Sequence, residues 1–215
     1  ERQSAELDAI ARRVGMNTIL NTVLNRHGEV VAAFFGDVEA AFRAGVKRCI
    51  DVYAAVIPAE ADIVLASSHP CDLEFWQAHK TLYPSDLAVK AGGIIIIVTP
   101  CYEGVAKTHG DILAITTKTA AEIRAMVDAG QVQDEVAAAL AIAWAQVKER
   151  ESVFIVSDGI ADAEAARLGF TRFPSVQAAV AEALRRKGPA AKITVLTHAP
   201  DMLPIIAAER GGEAR

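Results

Sequence analysis

The chain has 215 residues, 52% of them hydrophobic, and a net charge of −5 at pH 7. This length suits one large domain, or one domain with part of another. The acidic balance argues against nucleic acid as a partner, because the basic trio Arg185–Lys187 falls at a predicted helix end, where it complements the helix dipole. The longest apolar run, Ile94–Val98, is too short to span a membrane, and no signal peptide pattern is present.

The cysteine content predicts a reducing compartment. Cys49, Cys71 and Cys101 are an odd number of cysteines in a chain that has few of them. This favours free thiols, and we therefore expect a cytoplasmic protein. The chain begins with Glu1 and not with methionine, so we expect it to be part of a longer protein.

Residues 1–57 carry the pattern of a helix, a hairpin and a second helix. The elements, in chain order, are a helix capped by Ser4 and ended by Gly15, strands Asn17–Leu24 and Val30–Phe35, and a helix capped by Asp37. A lone hairpin with two helices is only marginally stable. We therefore interpret residues 1–57 as the tail of an amino-terminal domain that is otherwise missing.

Residues 58–215 predict an α/β domain. Four apolar runs without polar alternation are typical of parallel strands covered on both faces: Ile63–Ala66, Ile94–Val98, Val153–Val156 and Ile193–Leu196. Helices are predicted between them, after a Thr119–Glu122 capping box, over Gln133–Arg150 and over Ser175–Lys187. The pattern predicts a three-layer αβα fold with a mainly parallel sheet.

One helical segment after the first of these strands has polar residues suited to an anion. Gln77 and Lys80 lie three residues apart and so share one helix face. Ligands of open α/β sheets collect where a strand's carboxyl end meets the next helix. An amide and an ammonium at that place suit a carboxylate. The alternative is that both residues only form a solvated helix face.

The same region resembles a known family. Pro70–Asp72, Trp76–Lys80 and Ala91–Gly104 are similar to the carboxyl-terminal domain of nickel-dependent lactate racemases and related 2-hydroxyacid racemases and epimerases. The similarity runs from the first residues to about Ile206. The chain departs from the lactate racemases in one place, since Ser68-His69 stands where they carry a glycine pair. This departure leaves the identity of the hydroxyacid open.

The resemblance implies a function for the parent protein. In this family a nicotinate-derived pincer nucleotide, fixed to a lysine, holds nickel, and hydride leaves C2 of the substrate and returns to either face. Two histidines act as base and acid. All these residues belong to the family's amino-terminal domain, which no stretch here matches, so we expect no catalytic residue and no cofactor in this chain.

The resemblance implies that this chain forms one wall of the substrate-binding cleft of the parent protein. Gln77 and Lys80 would bind the substrate carboxylate, and Trp144 corresponds more weakly to a tryptophan that the family presents to the substrate. The alternative for Trp144 is a core or interface position. The expected partners are a small 2-hydroxyacid and the amino-terminal domain, without nucleic acid or membrane, and this chain alone would be inactive.

Polar residues near the ends of the four predicted strands form a further candidate group. The members are Ser67, His69, Thr99, Ser157 and His198. Parallel strands end at the same edge of a sheet, so these side chains are expected to form a binding rim. The alternative is that each of them only begins a loop.

Several other site types find no support in the sequence. His69, Cys71, Cys101 and His198 match no structural zinc spacing, so no metal site is predicted. Gly92-Gly93 precedes a strand, and no phosphate-binding glycine motif follows one. The main alternative to the racemase interpretation is a non-catalytic α/β module that binds a ligand or serves as a scaffold.

Overall fold

A computed structural model describes residues 2–207. The chain divides into two compact units, one ending at Ala55 and the other beginning at Val56. Among residues 2–207, no helix combines the length and the apolar character needed to cross a membrane.

The first unit contains a helix, a hairpin and a second helix in that order. Its elements are α1 (Arg2–Arg13), β1 (Thr18–Leu24), β2 (Val30–Asp37) and α2 (Val38–Tyr53). β1 and β2 pair antiparallel. The Asp37 carboxylate caps α2 by accepting from the amides of Glu39 and Ala40, as predicted. Ser4, in contrast, lies inside α1, because this helix already runs from Arg2.

The second unit is built on a parallel sheet of five strands. Its strands are β4 (Ala61–Ser67), β5 (Val89–Val98), β6 (Ser152–Val156), β7 (Thr171–Phe173) and β8 (Ile193–Leu196). Their order across the sheet is β7-β6-β5-β4-β8, and all four pairings are parallel. The four strands predicted from the sequence are therefore confirmed as parallel strands of one sheet. A short ladder joins β3 (Ala54–Ile57) to β9 (Leu203–Ile206).

The helices of the second unit cover both faces of this sheet. They are α3 (Phe75–Ala78), α4 (Leu82–Ala88), α5 (Ala120–Asp128), α6 (Glu135–Lys148), α7 (Asp162–Leu168) and α8 (Val176–Lys187). The larger core lies on one face, where side chains such as Val64, Ile95 and Ile155 pack with residues of α3, α4 and α6. On the other face, Ile63, Ile96 and Phe154 pack against α8. The three-layer α/β prediction is therefore confirmed.

Two of the helix starts predicted in the second unit are also borne out. Thr119 and Glu122 form a reciprocal capping box at the start of α5. Ser175 accepts a hydrogen bond from the amide of Ala178 and so caps α8. α6 begins two residues later than the predicted Gln133, because Asp134 caps it by accepting from the amide of Ala137. These local signals set where the helices begin between the strands of the sheet.

Candidate functional site

Gln77 and Lys80 lie on a short helical segment beyond the carboxyl end of β4. Gln77 belongs to α3, and Lys80 to the 3-10 turn His79–Thr81 that follows it. The ammonium of Lys80 donates a hydrogen bond of 2.7 Å to Gln77 Oε1. Lys80 is exposed and Gln77 is partly exposed. The structure thus brings the two predicted residues together as a bonded pair that faces solvent.

The backbone of this segment is fixed by the loop that follows β5. The amide of Phe75 donates to Gly104 O at 2.9 Å, and that of Trp76 donates to Val105 O at 2.8 Å. The Phe75 ring is fully buried and lies edge-on to Trp144, with ring centres 5.3 Å apart. The segment therefore faces inward through Phe75, and outward through Gln77 and Lys80.

His79 lies on the inner side of the same segment and was not selected from the sequence. Its ring is buried, its Nδ1 lies 2.7 Å from Trp76 O, and its ring centre is 5.3 Å from that of Trp144. Burial lowers the pKa of His79 to about 4, so the ring is neutral near pH 7. The spacing of four residues from Phe75 is the signal that places His79 on the buried face.

Three of the five rim candidates, Ser67, His69 and His198, come together at the ends of neighbouring strands. The rings of His69 and His198 contact edge to face, with their centres 5.4 Å apart. His69 Nδ1 lies 3.2 Å from an Asp72 oxygen, and the amide of His69 donates to Ser67 Oγ at 3.3 Å. Both imidazoles are exposed. This part of the rim is therefore accessible to a ligand.

The other two rim candidates are used inside the protein. Thr99 is buried, with its hydroxyl 3.1 Å from Cys101 Sγ. Ser157 is buried as well and donates to Pro100 O at 2.9 Å. Their hydroxyl groups stabilise the loop after β5 and are not presented at the surface. The rim is thus narrower than the sequence suggested, because two of the strand ends are covered.

Trp144 lies at a core position. Its side chain is fully buried under the segment that carries Gln77, and it contacts the rings of Phe75 and His79. This position favours the alternative of a core residue over a contact with the substrate, since a fully covered indole offers no surface to a ligand. It leaves Trp144 with a packing role beneath the candidate site.

No metal-ligand set is formed by His69, Cys71, Cys101 and His198. Cys101 is buried, and burial raises the pKa of its thiol to about 11, so the thiolate form is disfavoured. Among residues 2–207, no group of three or more His, Cys, Asp or Glu side chains could hold a metal ion.

Comparison with known proteins identifies the family. The profile of the lactate racemase C-terminal domain matches residues 56–206. The chain belongs to this lactate racemase family. The matched range begins at the boundary between the two units and contains the whole parallel sheet.

Two curated lactate racemases are similar to this chain in sequence. That of Thermoanaerobacterium thermosaccharolyticum is 33% identical over 96 residues, which are 44% of this chain and 22% of the relative. That of Lactiplantibacillus plantarum is 25% identical over 203 residues, which are 91% of this chain and 46% of the relative. The chain therefore spans less than half the length of either relative.

Solved structures show that the lactate racemase fold extends over most of the chain. The lactate racemase apoprotein from Thermoanaerobacterium thermosaccharolyticum superposes with a TM-score of 0.77 at 23% identity, covering 91% of this chain and 47% of that one. A protein from Thermotoga maritima gives a TM-score of 0.62 at 16% identity, covering 93% of this chain and 51% of that one. At these identities the likeness concerns the fold.

Proposed function

We propose that this chain forms the substrate-side wall of the cleft in a 2-hydroxyacid racemase or epimerase. The observation that carries the proposal is the hydrogen-bonded pair of the partly exposed Gln77 and the exposed Lys80 at the carboxyl end of the parallel sheet. Open α/β sheets bind their ligands at this edge. The family match and the relatives named lactate racemase support a hydroxyacid as the ligand.

In this proposal the two side chains divide the recognition of one carboxylate. Lys80 supplies a positive charge that balances the carboxylate, and the amide of Gln77 orients the group by a neutral hydrogen bond. Fixing the carboxylate also fixes the neighbouring C2 atom, where the configuration changes. The benefit is mainly one of orientation, which accelerates a reaction by holding the partners in a productive geometry.

The chemistry itself is proposed to reside in an amino-terminal domain of the parent protein. There the nickel-pincer nucleotide would supply the hydride acceptor for C2 of the substrate. Residues 2–207 offer no cluster of ligands for a metal, and none of them is proposed to hold the cofactor. This chain would act by binding the substrate and covering the cleft, which keeps water from the reacting centre. It would be inactive alone.

The decisive experiment replaces Lys80 by alanine in the full-length enzyme. A charge-assisted hydrogen bond contributes roughly 1.5–3 kcal/mol, so kcat/KM should fall by about ten- to a hundred-fold, with a raised KM. Gln77→Ala should cost less, because a neutral amide forms a weaker bond. Steady-state racemisation of lactate and of larger 2-hydroxyacids, measured for each variant, provides the test.

Lys192→Ala is the matched control. Lys192 is also an exposed lysine, but it directly precedes β8 and so lies at the amino end of the sheet. Its replacement should leave kcat/KM unchanged. Wild-type kinetics for Lys80→Ala, or an effect of this change only on the yield of folded protein, would refute the proposed role and favour a non-catalytic module.

A further inference from the structure

The helix that carries Gln77 is too short to hold its own position. α3 has four residues, and Glu74 at its start makes no side-chain capping bond. An isolated helix of one turn is unstable in water, because nucleation costs more free energy than a single turn of hydrogen bonds returns. The orientation of Gln77 and Lys80 therefore depends on the structure packed around α3.

The inner side of α3 rests on the middle of α6. Trp144 of α6 contacts Phe75 at the start of α3 and His79 just after its end, each with ring centres 5.3 Å apart. All three side chains are buried. This contact restrains the buried face of the segment, but it does not reach the outer side of Trp76.

The outer side of α3 is connected to the start of α6 through His109, a residue of the loop after β5. The ring of His109 stacks on Trp76, with ring centres 3.9 Å apart and planes inclined by 9°. His109 Nδ1 lies 2.5 Å from Asp134 Oδ2. The other Asp134 oxygen accepts from the amide of Ala137 at 2.9 Å, which fixes this carboxylate at the first turn of α6.

Each contact in this series has a defined geometry. A hydrogen bond from Nδ1 to the carboxylate sets the plane of the imidazole, and a parallel stack transfers that orientation to the indole. The hydrogen bond with His109 is also the largest cause that lowers the pKa of Asp134. The carboxylate therefore stays ionised and able to accept both bonds.

We propose that His109 and Asp134 are positioning residues that act through Trp76 to hold Gln77 and Lys80 in the orientation that binds substrate. We call this set the Trp76–His109–Asp134 relay. The inference rests on the proposed function, since it assigns the relay to the binding of the same substrate. α6 then restrains α3 at two points, from inside through Trp144 and from outside through Asp134.

The relay is tested first on the chain itself, by hydrogen exchange. The amides of Gln77 and Ala78 both point to Glu74 O, at 3.1 and 3.0 Å, and report on the stability of the α3 turn. In His109→Ala, exchange of these amides should accelerate at least about tenfold. Amides in the second half of α6, around Trp144, should exchange as in the wild type.

Substitutions that keep part of the relay refine the test. His109→Phe retains a flat ring that stacks but loses the bond to Asp134, and should give an intermediate acceleration. Asp134→Asn keeps a side chain that caps helices well but loses the charge, and should also be intermediate. His27→Ala, which changes an exposed histidine of the first unit, is the control and should have no effect.

The second test measures kinetics in the full-length enzyme. His109→Ala should raise the KM for the 2-hydroxyacid by about three- to tenfold with a smaller change in kcat, and His109→Phe should recover part of the loss. Unchanged exchange at Gln77 and Ala78 in His109→Ala would overturn the relay. Faster exchange with an unchanged KM would equally overturn its positioning role. The proposed function is decided separately, by Lys80→Ala.

Discussion

A single buried imidazole separates the two candidate binding residues along the chain. His79 lies between the partly exposed Gln77 and the exposed Lys80, yet its own ring is in the core against Trp144. A buried cation would be costly there, and burial is the main reason that the pKa of His79 is lowered. The hydrogen bond between His79 Nδ1 and Trp76 O needs only the neutral ring with its proton on Nδ1.

The buried state of His79 predicts acid sensitivity. The pKa of His79 is about 4 in the folded protein against 6.5 for a free imidazole, so only the unfolded state takes up this proton between these values. The contribution of the neutral His79 ring to the free energy of unfolding is therefore complete above pH 6.5. It is lost as the pH falls toward 4, by about 3 kcal/mol in total. Urea unfolding between pH 4 and pH 8 measures this loss.

His79→Asn supplies the comparison. Asparagine keeps an N–H donor near the Nδ1 position but does not titrate in this range. This variant should be less stable than the wild type at pH 7, because it fills less of the core, but its stability should depend less on pH below 6.5. An NMR titration midpoint for His79 close to that of a free imidazole would contradict the prediction.

At the scale of residues, the sequence could predict the candidate binding pair but not its support. Gln77 and Lys80 lie three positions apart, so helical periodicity alone places them together. His109 and Asp134 are 25 positions apart in the sequence and meet only because α6 brings its first turn to the loop after β5. Thr99 and Ser157 were expected at the binding rim but are buried, and nothing in their sequence context indicates this burial.

At the scale of elements, two loops at the carboxyl end of the sheet approach each other closely. After β5 the chain turns at Cys101, which adopts a left-handed φ of 44° that is unfavourable for a residue other than glycine. The turn carries the loop toward α3, and Gly159 of the loop after β6 donates its amide to Pro100 O at 2.8 Å. A side chain does not fit at position 159, because a Cβ atom there would overlap the backbone of Cys101.

Gly159→Ala is therefore expected to be strongly destabilising. A Cβ atom at this position would lie 1.8 Å from Cys101 O and 2.3 Å from Cys101 C, and backbone atoms have little freedom to move away. We expect a loss of about 3 kcal/mol or more in the free energy of unfolding, which corresponds to a melting temperature lower by about 6–12 °C. Differential scanning calorimetry gives the melting temperature directly.

Gly110→Ala is the control for the glycine prediction, because a Cβ built at that position meets no atom within 4 Å outside its own neighbours in the chain and its own helix. It should change the melting temperature by at most about 2 °C. A Gly159→Ala protein as stable as Gly110→Ala would show that the loops can separate without cost.

Element prediction succeeded where local patterns are strong. The isoleucine run of β5 and the capping box of α5 are sufficient signals by themselves. β7 was not predicted, because three residues containing an arginine form no apolar run. β9 was not predicted either, since it contains Pro204, which cannot donate to a ladder and argues against a strand.

At the scale of the whole molecule, the two units differ in how completely they cover their apolar side chains. Both hydrophobic cores are formed from residues 57–206, and all of their members belong to the second unit. In the first unit, Leu20 and Phe35 form a cross-strand pair on the hairpin, yet they are 67% and 76% exposed. Few of its apolar side chains are buried, so the hydrophobic effect stabilises the first unit much less.

This asymmetry predicts that the second unit folds without the first. A piece that begins at Ala54, and so retains all of β3, should unfold cooperatively, with a melting temperature within about 5 °C of that of the whole chain. A piece that ends at Tyr53 should show little stable structure, because it buries too little apolar surface to offset the entropy of folding. Circular dichroism and urea titration of both pieces are the measurements. If the piece that begins at Ala54 were unfolded, the second unit would need the first unit to fold, although no residue of the first unit belongs to either hydrophobic core.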